Sequence, residues 1–207
     1  MTIQDIYKAV VDFDDEAVPG LIEKEIKAGT DAKKILDEGL IAAMDYVGKL
    51  FSEGELFVPE MLMAATAMKA GLNILKPQLA KSGGATIGVV VIGTVKGDLH
   101  DIGKNLVGMM LEGGGFEVYD LGADVEPAKF VAAAKEKKAN IVGLSALLTT
   151  TMPYMEDTVN ALKEAGLTSK VIIGGAPVTA AYAEKIGAAG YSDDAPGAVE
   201  LARSLVK

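Results

Sequence analysis

The sequence predicts an α/β protein: an N-terminal four-helix bundle followed by a doubly wound parallel five-stranded sheet of the Rossmann-like (flavodoxin-like) class. Three observations predict it. Up to about Lys81 the apolar residues recur at the helical period. Beyond "KSGG" (81–84), short β-rich runs alternate with amphipathic stretches. Runs such as "GVVVI" are apolar on both faces, as a parallel sheet covered on both sides requires.

Taken in order, Asp14-Asp15 reads as one helix start and Thr30-Asp31, before "AKKILDEGL", as another, because short polar side chains satisfy the first free N–H groups of a helix. Pro59 sits just inside the start of the last bundle helix, where a missing N–H costs nothing. Along that helix Val58, Met61, Leu62, Ala65, Leu72, Leu75 and Leu79 fall close to one face. The break at "KSGG" places the domains at 1–83 and 84–207. The second half then reads as strands at 86–93, 116–122, 140–146, 170–175 and 188–193. Helices near 102–112, 127–138, 153–165 and 178–186, and one from about 196, alternate with them. The glycines of "GGG" (113–115) fit a helix end and turn.

Composition narrows the function. Of the 207 residues 50% are hydrophobic, enough for a substantial core. The formal net charge is −9, which repels phosphate backbones and anionic bilayers, so neither nucleic acid nor a membrane is an expected partner. There is no cysteine, which excludes disulfides, thiolate metal sites and a cysteine nucleophile. "MTIQDIYKAVVDFDDE" lacks the basic-then-apolar layout of a signal peptide, and the chain reads as cytoplasmic.

In sheets of this class ligands bind beyond the carboxyl ends of the strands. Three unusual loops fall there: "GDLHDIGKN" (97–105) after the first strand, "SALLTTT" after the third and "GGAP" after the fourth. The first contains the chain's single histidine, His100, flanked by Asp98 and Asp101. It is not a phosphate loop, because five residues separate Gly97 from Gly103, Asn105 replaces the magnesium-binding hydroxyl, and two aspartates would face the phosphates. A phospho-receiver needs an aspartate ending the third strand, where Ser145 stands. A bare zinc or iron site would have only carboxylates to complete an Asp-His-Asp set, a poor match to zinc.

The combination is more specific than its parts. D-x-H-x-x-G (Asp98, His100, Gly103), then S-x-L (Ser145, Leu147) and then Gly174-Gly175, in this order on this fold, resembles the cobalamin-binding domain of B12-dependent methyltransferases and mutases. The stretch "VGKLFSEGELFVPEMLMAA" (47–65) is similar to the helical cap that precedes that domain in methionine synthase and in small corrinoid proteins. The resemblance spans nearly the whole chain.

It implies cobalamin, as methylcobalamin or another corrinoid, bound with its benzimidazole tail off the cobalt and His100 as the lower axial ligand. Asp98 would orient the imidazole and Thr151 would continue the relay, standing where methionine synthase has a serine. Ser145 and Leu147 would line the slot for the tail, and Gly174 and Gly175 would leave room for it. Asp101, Ile102, Gly103, Asn105 and Thr149 are further candidates for cofactor contacts, and Phe51 and Val58 would lie over the upper face. Cobalt rather than a side chain would be the nucleophile, so the chain would be a carrier subunit of one-carbon metabolism and not a complete enzyme. Its implied partners are a substrate-specific corrinoid methyltransferase, a second methyltransferase delivering the methyl group to a thiol or folate-type acceptor, and a reductive activation protein. A cobalamin-binding sensor module is the alternative.

Overall fold

In the computed structural model of the protein, the helical spacing of the first part becomes α1 (Ile3–Val11), α2 (Ala17–Lys27), α3 (Ala32–Lys34), a π-helical turn (Ile35–Ile41), α4 (Ala42–Ser52) and α5 (Val58–Lys81). The structure describes residues 2–81 and 86–206, without the side chains of residues 80 and 81. Contacts divide the chain into a helical unit, residues 1–86 with 112–115, and a sheet unit, residues 87–111 with 116–207. The expected boundary at 83/84 lies outside the described residues.

In the helical unit, α3, the π-helical turn and α4 follow one another without a break. The expected starts have chemical causes. Asp14 Oδ1 accepts from Ala17 N–H at 2.9 Å, and Asp31 Oδ1 accepts from Lys34 N–H at 3.0 Å. Glu60 Oε2 accepts from Phe57 N–H at 2.9 Å and secures the entry to α5. Ile6, Val10, Ile22, Ile35, Leu40, Met44, Met61, Met68, Leu75 and Leu79 form the buried interior. Val58 departs from expectation: it is 39% exposed, because it stands in the first turn of α5 ahead of the buried face that begins at Met61.

The sheet unit alternates strictly: β1 (Val89–Thr94), α6 (Ile102–Gly113), β2 (Glu117–Asp120), α7 (Pro127–Lys137), β3 (Ile141–Ser145), α8 (Pro153–Glu164), β4 (Lys170–Gly174), α9 (Ala180–Ile186), β5 (Gly190–Tyr191) and α10 (Ala195–Leu205). All pairings are parallel, in the order β2-β1-β3-β4-β5, the flavodoxin-like arrangement. The interior of β1 and β3 is buried, and β-branched residues dominate β1 and open β3 at Ile141 and Val142. Val91, Val142, Leu144 and Ile173 pack with Phe130 of α7 and Val159 of α8.

Register decides what lies at the rim. Thr94 pairs with Ser145, and Ser145 with Gly174, so β1, β3 and β4 end level and release their loops side by side. Strand bounds are shorter than expected wherever pairing stops. β1 begins at Val89 rather than 86, because its first partners are Glu117 and, through Val90, Ile141. β5 is reduced to the two residues that meet Ile172 and Ile173. α9 begins at Ala180 rather than 178, because Thr179 caps it by accepting from Tyr182 N–H. Among the described residues no helix is long and apolar enough to cross a membrane.

Candidate functional site

The loop after β1 is built around a buried carboxylate. Gly97 takes φ +77°, where a side chain is strained, and lets the chain turn sharply back. That turn drives Asp98 inward until it is 0% exposed, while the His100 side chain stays 52% exposed. Asp98 Oδ1 accepts from the His100 backbone N–H at 3.0 Å and from the ring Nδ1 at 2.7 Å. Oδ2 accepts from Leu147 N–H at 2.8 Å, Leu148 N–H at 3.2 Å and the Thr151 hydroxyl at 2.8 Å.

Burial alone would push the Asp98 carboxyl up. The hydrogen bonds from Leu147 N–H, His100 N–H, the His100 ring and Thr151 outweigh burial and hold it well below the usual carboxylate range. An ionised carboxylate only accepts, so Nδ1 is the protonated nitrogen facing it, and in the neutral ring Nε2 presents its lone pair. Nε2 has no hydrogen-bond partner among the described residues. Thr151 Oγ1 lies 2.8 Å from both Asp98 Oδ2 and the Leu148 carbonyl, so its one proton serves one of them at a time.

The surroundings are apolar yet open. Leu99 is 75% exposed, Ile102 78%, Leu147 43% and Leu148 41%, an unusual concentration of large side chains beside one imidazole. Among the described residues no group of three or more His, Asp or Glu side chains converges to hold a bare metal ion. The donor set is one oriented nitrogen, which suits a metal that arrives with its own equatorial ligands. These residues therefore fit a corrin.

The structure brings Asp98, His100, Leu147 and Thr151 together, and it places Ser145, half-buried, at the end of β3. Asp101 is half-buried before α6, and its carbonyl accepts from Asn105 N–H at 2.8 Å. Ile102, Gly103, Asn105 and Thr149 are exposed around the same two loops. Gly174 ends β4 and its carbonyl accepts from Ala146 N–H at 3.2 Å. Gly175 has a cause independent of any ligand: at φ +125°, a Cβ there would stand 1.9 Å from the Ala146 carbonyl oxygen. Phe51, half-buried near the end of α4, and Val58 belong to the helical unit.

Several participants escape sequence reading. Leu148 adds a fifth donor to Asp98, and the buried Thr94 hydroxyl donates to the His100 carbonyl at 2.9 Å. Asp124 reaches the β1 loop from the far side, accepting from Gly97 N–H at 2.7 Å. Lys104, with 1% of its side chain exposed, pairs with Asp120 at the end of β2. Only Lys104 carried a signal, a lysine at a helix position otherwise facing the core.

The chain is similar to known proteins over nearly its whole length. Two family models, each described as a B12 binding domain, match residues 2–76 and 88–200. Dimethylamine corrinoid protein 1 of Methanosarcina acetivorans is 47% identical, with 99% of this chain and 97% of that protein covered. A cobalamin-binding protein of Desulfitobacterium hafniense, solved by crystallography, is 35% identical with a TM-score of 0.82, each chain covered over its full length. The methanol:cobalamin methyltransferase complex MtaBC of Methanosarcina barkeri contains a chain 31% identical, with a TM-score of 0.88, 99% of this chain and 79% of that one being covered.

Proposed function

Because the chain belongs to the B12-binding family, we propose that it is a methyl carrier that holds its corrinoid through His100, with the benzimidazole tail displaced, and serves a methyltransferase acting on methylated amines. The single observation that carries the reading is the exposed imidazole whose Nδ1 is fixed by a buried carboxylate, leaving Nε2 available. When bound, the corrin supplies a cobalt centre able to accept and release a methyl group.

Everything else is the work of this chain. His100 would hold the cobalt through Nε2, and Asp98 would fix the orientation and tautomer of the ring through Nδ1. Thr151 can follow a change in Asp98 without moving, by turning its hydroxyl proton to the Leu148 carbonyl. Leu99, Ile102, Leu147 and Leu148 would cover the apolar parts of the cofactor and exclude water. Ser145, Gly174 and Gly175 would border the tail, with Asp101, Gly103, Asn105 and Thr149 as outer contacts, while Phe51 and Val58 of the helical unit would shield the methyl group. The names of relatives such as the dimethylamine corrinoid protein support the methylated-amine donor. The second methyltransferase, delivering to a thiol or folate-type acceptor, and a reductive activator complete the proposed system.

The test is an EPR spectrum of the Co(II) holoprotein, made with nitrogen-15 histidine and unlabelled cobalamin. A doublet superhyperfine splitting is the expected result, since the chain's one histidine is then the ligand. A triplet would mean that the benzimidazole is still bound, and the reading would fall.

A further inference from the structure

Asp124, in the loop between β2 and α7, has a backbone that only its position explains. Its φ is +53°, a left-handed conformation in which a non-glycine residue is strained, though aspartate tolerates it better than most. Strain of this kind persists where the surroundings impose it. Here they do. Asp124 Oδ1 accepts from Gly97 N–H at 2.7 Å, and Asp124 N–H donates to the Asp98 carbonyl at 3.0 Å. One residue thus grips both ends of the two-residue segment Gly97–Asp98 from a loop 27 residues beyond Gly97. Asp98 in turn holds the His100 ring, and Asp124 makes no hydrogen bond to that ring or to the Asp98 carboxylate itself.

Resting on the axial-ligand reading above, we propose that Asp124 is a positioning residue: by clamping the Gly97–Asp98 segment it sets the placement of the Asp98 carboxylate, and through it the tautomer and reach of His100. Without the clamp the β1 loop keeps its outer attachments. Val95 still bridges Val125, and Val125 N–H still donates to the Thr94 carbonyl at 3.0 Å. The fold therefore does not depend on the Asp124 side chain, whereas the orientation of the loop tip does.

Two variants separate these roles. Asp124→Gly keeps the left-handed backbone at no steric cost and removes only the carboxylate. Asp124→Asn tolerates the same backbone and keeps an oxygen acceptor for Gly97. The first readout is the nitrogen-15 spectrum of the single imidazole in the ligand-free protein at alkaline pH. Wild type and Asp124→Asn should show one protonated and one unprotonated nitrogen, and Asp124→Gly should show the two shifts averaging as the tautomers mix. The second is the Co(II) EPR spectrum of the holoprotein with labelled histidine. Asp124→Gly should lose the doublet and bind cobalamin ~10-fold or more weakly, as expected for an orienting group behind a metal ligand, while Asp124→Asn retains both.

An Asp124→Gly protein with the wild-type imidazole spectrum and an intact doublet overturns the proposal, whatever its thermal stability. A wild-type triplet, together with tautomer mixing in Asp124→Gly, overturns the axial-ligand reading and leaves the clamp standing. A wild-type doublet with no response to Asp124→Gly does the reverse.

Discussion

At the scale of the residue, Asp98 is the pivot, because a buried carboxylate with five donors around it has a defined charge and a defined direction. Its folded pKa is depressed, so its stabilising contribution is present above the unfolded value of about 4 and is lost as pH falls below that through the folded value. Asp98→Asn cannot accept as many hydrogens and does not titrate. Urea unfolding of the ligand-free protein should therefore show wild type well above Asp98→Asn near neutral pH, with the gap closing as pH is lowered past about 4. A gap independent of pH would show that the wild-type carboxyl is not held ionised. Part of this centre is legible in the sequence: Asp98 and His100 are two residues apart, and the three ordered motifs name their neighbours. The donors from Leu147, Leu148 and Thr151 lie 49 to 53 residues away, and only the pairing of β1 with β3 brings them in.

At the scale of the element, two devices hold the loops. The first ties α6 to β2 through Lys104 and Asp120, an unequal pair: the Lys104 side chain is 1% exposed and that of Asp120 44%. Removing the buried cation leaves a carboxylate that water can reach, whereas removing the carboxylate strands an ammonium group indoors. Asp120→Ala should thus cost about 3 kcal/mol and Lys104→Met about 1 kcal/mol or less, as measured by denaturant unfolding. Equal losses would argue that the pair acts mainly through packing. The second device is the close approach of the β4 loop to the β3 loop at Gly175. Gly175→Ala meets a backbone carbonyl at 1.9 Å and keeps a φ of +125°, so loop β3 must move. A loss of about 3 kcal/mol in stability is expected, seen as a lower melting temperature. Weakened cobalamin affinity should accompany it, because Leu147 donates to Asp98 from that loop. The double glycine was visible in the sequence as a spacing feature, but its role as a contact between loops was not.

At the scale of the whole molecule, a carrier that binds its cofactor only when folded is stabilised by it. Free cobalamin at a thousandfold excess over its Kd should raise the unfolding free energy by about 4 kcal/mol, with the melting temperature rising in step with cofactor concentration. His100→Ala should lose only a small part of the ligand-free stability, since the ring is half exposed and Asp98 keeps four other donors, and should lose part of the increment. An unchanged increment would mean that the imidazole contributes nothing to holding the cofactor. The net charge of −9 acts at this scale too: it disfavours polyanions and leaves recognition of partners to specific surfaces.

The sequence by itself determined the alternation of strands and helices, the five-stranded parallel sheet and the release of the three unusual loops at its carboxyl rim, because periodicity and turn residues are local signals. It also determined that one imidazole stands beside a carboxylate there. Strand ends, the π-helical turn and the exposure of Val58 were decided by pairing and packing partners, which no local pattern contains. Only the tertiary structure decided the chemical state of the site. The ionisation of Asp98, the tautomer of His100 and the grip of Asp124 all depend on hydrogen bonds between loops far apart in sequence and brought together by the pairing of β1 with β2 and β3.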